Sequence, residues 1–78
     1  MYTCEWKYTR DDAVTIITKI PESEYDPDRR IEQVNSKSGY GFNYHKTLAE
    51  AVAESLVPIK DITFVNVPQE EIDAVNNL

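Results

Sequence analysis

Residues 37–56, KSGYGFNYHKTLAEAVAESL, join a strand pattern directly to a helix pattern. Side chains alternate between the two faces of a strand, so Tyr40, Phe42 and Tyr44 share one face. Burying a large apolar side chain contributes roughly 1.5–3 kcal/mol, and a small domain can hardly leave three such rings in water. We therefore expect these rings to pack under the following helix as part of the core.

The helix pattern itself is the clearest in the chain. Thr47 and Glu50 have the spacing of a capping box, and Pro58 ends the helix. The apolar positions between them fall along one stripe of a helical surface. This pattern predicts a helix over residues 47–57 that covers one face of a sheet.

Strand patterns flank this unit on both sides. Residues 2–9 alternate between apolar and polar side chains, and residues 61–67 form a second apolar strand. Residues 13–20 are rich in β-branched side chains, which favours a strand joined to the first by a short turn, although their apolar spacing also fits a helix. Pro68 opens a C-terminal helix.

Residues 27–36 also allow two structures. In the first, RRIEQVNS and YGFNYH are the two strands of a hairpin, and Gly39 takes the turn conformation that other residues resist. In the rival interpretation, Asp26 caps a helix whose first residue is Pro27.

With 78 residues, the chain predicts a single α+β domain over residues 1–78. We expect an antiparallel or mixed sheet of four or five strands, one face covered by helix 47–57, with a C-terminal helix nearby. If residues 13–20 were helical, the fold would become a ferredoxin-like plait with an added C-terminal helix.

The octapeptide SGYGFNYH, residues 38–45, resembles the ribonucleoprotein octapeptide of the RNA-recognition-motif family at Gly39, Tyr40, Gly41 and Phe42. In that family the octapeptide lies on a strand and its aromatic rings stack on bases. The resemblance therefore implies that Tyr40 and Phe42 bind single-stranded nucleic acid. It would also place a helix between the first two strands.

The chain departs from that family in residues and in charge. Ser38 replaces a basic residue, and Asn43 and His45 stand where the family has apolar core residues. A net charge of −6 repels phosphate backbones. Nucleic-acid binding is therefore the alternative function, and burial of the aromatic rings in the core is the preferred interpretation.

No group of residues has the spacing that a reaction or a bound cofactor requires. Cys4 and His45 are the only residues of their types, and alternation predicts that they point to different sides of the sheet. The four acids in residues 22–28 lack the turn glycine of a calcium loop, and zinc-type ligand clusters are missing. We expect no enzymatic activity, no metal and no cofactor.

Charge indicates the kind of partner. Residues 47–78 carry six acids against Lys60 alone, and such a surface attracts basic proteins. We expect a non-catalytic protein-binding module, an inhibitor or adaptor, that covers a basic surface of its partner. A nucleic-acid-binding protein is one such partner. The sequence is also compatible with a homodimer. The candidate contact residues are an acidic loop with one aromatic residue and the acids of two helices: Glu22, Glu24, Tyr25, Asp26, Asp28, Glu50, Glu54, Glu70, Glu71 and Asp73.

The single cysteine excludes an intramolecular disulfide, and no apolar run is long enough to cross a bilayer. Both features favour a cytoplasmic protein that does not span a membrane, and the net charge of −6 favours no direct contact with nucleic acid or anionic lipid. Small acidic proteins encoded by phages and mobile elements often inhibit nucleic-acid enzymes, but the analogy rests on size and charge alone.

Overall fold

Two hairpins lie side by side and make most of the sheet. The computed structural model describes residues 1–78, with strands β1 Tyr2–Tyr8, β2 Ala13–Lys19, β3 Ile31–Val34, β4 Gly39–His45 and β5 Ile62–Val65. β1 pairs antiparallel with both β2 and β4, whereas β5 pairs parallel with β2. The strand order is β3-β4-β1-β2-β5, so β1 is central and β3 and β5 are the edges.

Two short helices follow the second hairpin. They are α1, Leu48–Ser55, and α2, Gln69–Asn76, and 3-10 turns occupy Glu22–Glu24 and Ile59–Asp61. Thr47 caps α1 as expected, because its hydroxyl accepts a hydrogen bond from the Glu50 N–H at 3.2 Å. Neither helix has the length and apolar character needed to cross a membrane.

The expected fold class is confirmed. The chain forms one small α+β domain with a five-stranded mixed sheet, one face of which packs on α1, and a C-terminal helix. Residues 13–19 are a strand, so the ferredoxin-like alternative is wrong, and so is the helix that the octapeptide resemblance implies between the first two strands. Residues 31–34 are also a strand, which rules out a helix beginning at Pro27.

The β3–β4 hairpin turns without a glycine. The Asn35 N–H donates to the Ser38 carbonyl at 2.9 Å, and the Asn35 side-chain oxygen accepts from the Lys37 N–H at 2.8 Å. Gly39 already belongs to β4 and has no positive φ. The expectation that Gly39 forms the turn is therefore wrong; the Asn35 side chain supplies the local hydrogen bonds that hold it.

The core lies between α1 and one face of the sheet, which we call the helix face. Its six buried hydrophobic residues are Tyr2, Cys4, Ile17, Leu48, Ala51 and Ile62. Cys4 and Ile17 are fully buried and lie directly opposite each other on β1 and β2. The opposite side of the sheet, which we call the open face, carries no helix.

The aromatic side of β4 belongs to the open face. Residues opposite each other on paired strands share a face, and Cys4 pairs with Asn43. Asn43 therefore points toward α1, while Tyr40, Phe42 and Tyr44 point away from it. The expectation that α1 buries these three rings is wrong.

The rings of Trp6 and Tyr8 explain this choice. They stack with centroids 6.1 Å apart and planes 10° apart. Trp6 lies over Gly41 and Tyr8 lies over Gly39, so closely that a Cβ atom on either glycine would overlap the ring. The glycines of β4 thus make room on the helix face for the large side chains of β1. The helix-facing residues of β4 are small or polar, but the rings of β1 cover its two glycines and supply the apolar surface that β4 lacks.

Candidate functional site

The open face carries an aromatic cluster, which we define as Tyr25, Tyr40, Phe42 and Tyr44. The rings of Phe42 and Tyr44 meet edge to face with centroids 5.3 Å apart, and Tyr25 meets Tyr44 in the same way at 6.3 Å. The guanidinium carbon of Arg29 lies 5.9 Å from the centre of the Phe42 ring. All four rings are half-buried, so part of each remains accessible to a partner.

Tyr40 is held by an acid on the neighbouring strand. Its hydroxyl donates a hydrogen bond to the Glu5 carboxylate at 2.7 Å. This hydrogen bond, followed by partial burial, raises the pKa of Tyr40 above its ordinary value, because the ionised form would meet a second negative charge. The hydrogen bond links Tyr40 of β4 to Glu5 of β1 on the open face.

The loop over residues 20–30 borders the aromatic cluster. Its four acids are all exposed: Glu22, Glu24, Asp26 and Asp28. Asp26 accepts a hydrogen bond from the Asp28 N–H at 3.3 Å, which orders the loop locally. Since Tyr25 packs on Tyr44, the predicted acidic loop and the aromatic rings form one continuous surface, with rings at the centre and carboxylates at the edge.

The predicted acids of the helices lie on the other side of the sheet. Glu50, Glu70 and Asp73 are exposed. Glu54 is already engaged, because it accepts a hydrogen bond from the Asn43 amide at 3.3 Å and lies 3.6 Å from Arg30. The helix acids and the loop acids therefore form two separate surfaces.

Glu71 attaches α2 to the sheet. It accepts hydrogen bonds from the Tyr2 hydroxyl and from the Lys19 ammonium group, the latter at 2.5 Å. The Lys19 bond and then the Tyr2 bond lower the pKa of Glu71, while burial and then the Glu71 bond raise the pKa of Tyr2 to about 12. Glu71 is thus occupied inside the protein and offers little to a partner.

Cys4 and His45 share the helix face, which corrects the expectation that they point to different sides. Cys4 is fully buried, and burial followed by the nearby charge of Glu54 raises its pKa to about 11. A thiol held neutral in this way is a poor nucleophile. The Nε2 atom of His45 is buried without a hydrogen-bond partner.

Two features escaped the sequence-based interpretation. Arg29 reaches the open face, and a groove opens on the helix face above Trp6 and Tyr8. The sequence does hold a signal for the groove, since Gly39 and Gly41 occupy alternate positions of one strand while two large rings occupy alternate positions of another. Only the register between the two strands shows that they meet.

No family model, no curated protein and no solved structure matches this chain.

Proposed function

We propose that this protein is a non-catalytic protein-binding module, an inhibitor or adaptor, that contacts a basic protein surface with the open face of its sheet. The observation that carries the proposal is the aromatic cluster on a face without a helical layer. Tyrosine and arginine are enriched at the centres of protein interfaces, where they combine a large apolar area with a polar end. Tyr25, Tyr44 and Arg29 have this character.

The charge of the surrounding loop supports a basic partner. The acids of residues 22–28 are exposed at the edge of the cluster, and the net charge of the chain is −6. Edge charges mainly increase the rate of encounter and select against partners of like charge, whereas the central rings provide most of the affinity. A nucleic-acid-binding protein, with its own basic surface, is one partner of this kind.

A matched pair of variants tests the proposal. Phe42→Ala combined with Tyr44→Ala removes the centre of the cluster, and Val65→Ala removes an exposed apolar side chain of the same face at the opposite edge of the sheet. Tagged wild-type protein and both variants are used to capture partners from cells that express the protein, and the affinity of the recovered partner is then measured by calorimetry. We expect the wild type and Val65→Ala to bind one partner equally, and the double variant to lose it.

Two results would contradict this proposal. One is capture of the same partner by the double variant at unchanged affinity. The other is loss of binding that is fully explained by unfolding, which circular dichroism of the double variant would reveal.

Single-stranded nucleic acid is the second candidate, and one observation favours it. Tyr40 and Phe42 lie on a strand, as the octapeptide resemblance implies, their face of the sheet carries no α-helix, and Arg29 lies over the Phe42 ring. Against it stands the acidic loop at the edge of the same surface. A basic protein and a nucleic acid carry opposite charges, so reversing the charge of the loop acids should weaken binding of the first and strengthen binding of the second.

The test changes Glu24 and Asp26 to lysine together. If the partner is a basic protein, association slows, and most strongly at low salt, because attraction becomes repulsion. If the ligand is nucleic acid, the same variant binds a labelled oligothymidine more tightly in an anisotropy titration. Saturable oligonucleotide binding by the wild type near physiological salt, lost in Phe42→Ala, would favour the second candidate over the first.

A further inference from the structure

The groove on the helix face has a volume of about 360 Å³ and lies beyond the C-terminus of α1. Trp6 and Tyr8 line it with ring planes only 10° apart. Each ring lies over a glycine of β4, and both residues also line the groove. We call this pair of nearly parallel rings, which β4 supports from below, the aromatic platform.

Two carboxylates flank this platform. Glu32 comes from edge strand β3 and Glu54 from α1, so they approach from different elements. Arg30 already lies 3.6 Å from Glu54, but its side chain is 65% exposed, which indicates a loosely held ion pair at the rim. Lys7 also lines the groove, although strand alternation assigns its side chain to the open face.

An exposed leucine lines the groove at the end of α1. Leu56 is 91% exposed and has a left-handed backbone with φ 57°, a conformation that is unfavourable for leucine and common for glycine. The left-handed backbone of Leu56 ends α1, and its exposed side chain lies beside the groove.

We propose that this groove binds an arginine side chain presented by a polypeptide partner. A guanidinium group is flat, stacks on Trp and Tyr rings and pairs with carboxylates. The aromatic platform offers the rings, and Glu32, whose side chain has no hydrogen bond or ion pair within the chain, offers the carboxylate, whereas Glu54 would have to exchange Arg30 for the incoming group. The aliphatic stem of the arginine, or an apolar neighbour, would pack on Leu56. Charge complementarity selects this occupant, because a second copy of a chain with net charge −6 would be repelled.

The chain's own arginines make both contacts that the proposal requires, one with an aromatic ring and one with a carboxylate. Arg29 lies over the Phe42 ring at 5.9 Å, and Arg30 pairs with Glu54 at the edge of the groove. The groove would combine the two contacts for an external arginine. The inference is independent of the proposed function, because the groove and the aromatic cluster lie on opposite faces of the sheet.

Trp6 is the only tryptophan, so its fluorescence reports directly on the groove. The probe is the blocked dipeptide acetyl-leucyl-arginine amide, and its matched control replaces arginine by the neutral isostere citrulline. We expect a saturable change in Trp6 emission with the arginine peptide and about tenfold weaker binding of the citrulline peptide, as for a lost charge-assisted hydrogen bond.

A pair of protein variants locates the interaction. Glu32→Gln should weaken binding of the arginine peptide severalfold, whereas Glu50→Gln, the same loss of charge at an exposed site on α1, should leave it nearly unchanged. Absence of a saturable Trp6 response in the wild type would overturn the proposal. So would equal binding of the citrulline peptide, equal effects of the two variants, or tighter binding of free arginine than of the blocked dipeptide, which would indicate a metabolite instead of a polypeptide.

Discussion

Strands β1 and β4 are neighbours, and both carry aromatic rings at alternate positions, yet they use them in opposite ways. Trp6 and Tyr8 of β1 lie on the helix face, whereas Phe42 and Tyr44 of β4 lie on the open face. Each strand read alone predicts that its rings enter the core. The difference shows that pairing register and the space left by the neighbouring strand decide which face of a strand is buried. Here the two glycines of β4 leave that space for the rings of β1.

The two faces also differ in how completely they enclose their side chains. Cys4 and Ile17 of the helix face are fully buried, while the large rings of the open face are half-buried. The helix face therefore holds most of the stability, and the open face keeps apolar area available for a partner. Substitutions on the helix face should therefore cost more stability than matched substitutions on the open face.

The largest expected effect belongs to the adjacent pair Ile17 and Ile16, which point to opposite faces of β2. Ile17→Ala should lower the free energy of unfolding by about 2–5 kcal/mol, because it leaves a cavity in the core. Ile16→Ala, at a half-buried position, should cost clearly less. Urea denaturation followed by circular dichroism measures both, and equal costs would remove the distinction between the faces.

Gly41→Ala should give the next largest effect. The added methyl group would overlap the Trp6 ring, and relief of such overpacking typically costs about 1–3 kcal/mol of stability. In a Trp6→Ala background the same substitution should cost much less, since the overlapping ring is gone. An unchanged cost in that background would mean that the glycine serves another purpose than making room for Trp6.

Glu71 tests how α2 is attached to the helix face, with a smaller effect that depends on pH. Its pKa is lowered from 4.5 in the folded protein, so its bonds to Lys19 and Tyr2 stabilise the fold above pH 4.5. This contribution disappears as the pH falls through the folded value. Glu71→Gln should therefore be less stable than the wild type at neutral pH, and the gap should close in acid.

The control for that measurement is Glu70→Gln, which removes a neighbouring exposed carboxylate. Thermal melts from pH 7 to pH 3 should show a nearly constant, small difference between this control and the wild type. A pH-independent gap for Glu71→Gln would contradict the assigned role of its ionised form.

The smallest effect concerns Leu56 at the end of α1. Leu56→Gly removes the unfavourable left-handed leucine and exposes little new surface, so it should stabilise the protein by roughly 0.5–1 kcal/mol. The same variant should weaken the arginine peptide at the groove, measured by Trp6 fluorescence. A destabilised Leu56→Gly would show that Leu56 packs within the chain and is not free for a partner.

Local patterns predicted much of the fold. Alternation identified β1 and β4, and the spacing of Thr47 and Glu50 located the start of α1. Local patterns cannot reveal which face of β4 meets the helix, because that depends on the Cys4–Asn43 register between strands that are distant in sequence. The apolar side chains of β4 alone therefore point to the wrong buried face, because β1 contributes the larger side chains to the helix face.

The candidate site was predictable in composition and not in arrangement. The acidic loop was identified from its residues, but the packing of Tyr25 on Tyr44 brings together positions that only the folded chain makes neighbours. Glu71 shows the opposite outcome. The sequence suggests a free acid on a helix, yet Glu71 accepts a hydrogen bond from Tyr2, 69 positions away. Both outcomes depend on tertiary contacts that no sequence window contains.

The most direct test of the central claim compares Phe42→Ser with Ile17→Ser. Serine is tolerated on a surface, but in a core it leaves a cavity and buries a hydroxyl group. The two substitutions should therefore lower the free energy of unfolding by very different amounts. Equilibrium urea unfolding at pH 7 should show a folded, cooperative Phe42→Ser protein that loses about 1–2 kcal/mol, and an Ile17→Ser protein that is largely unfolded without denaturant. If Phe42→Ser loses as much stability as Ile17→Ser, the rings of β4 belong to the core, and the open face is not a contact surface.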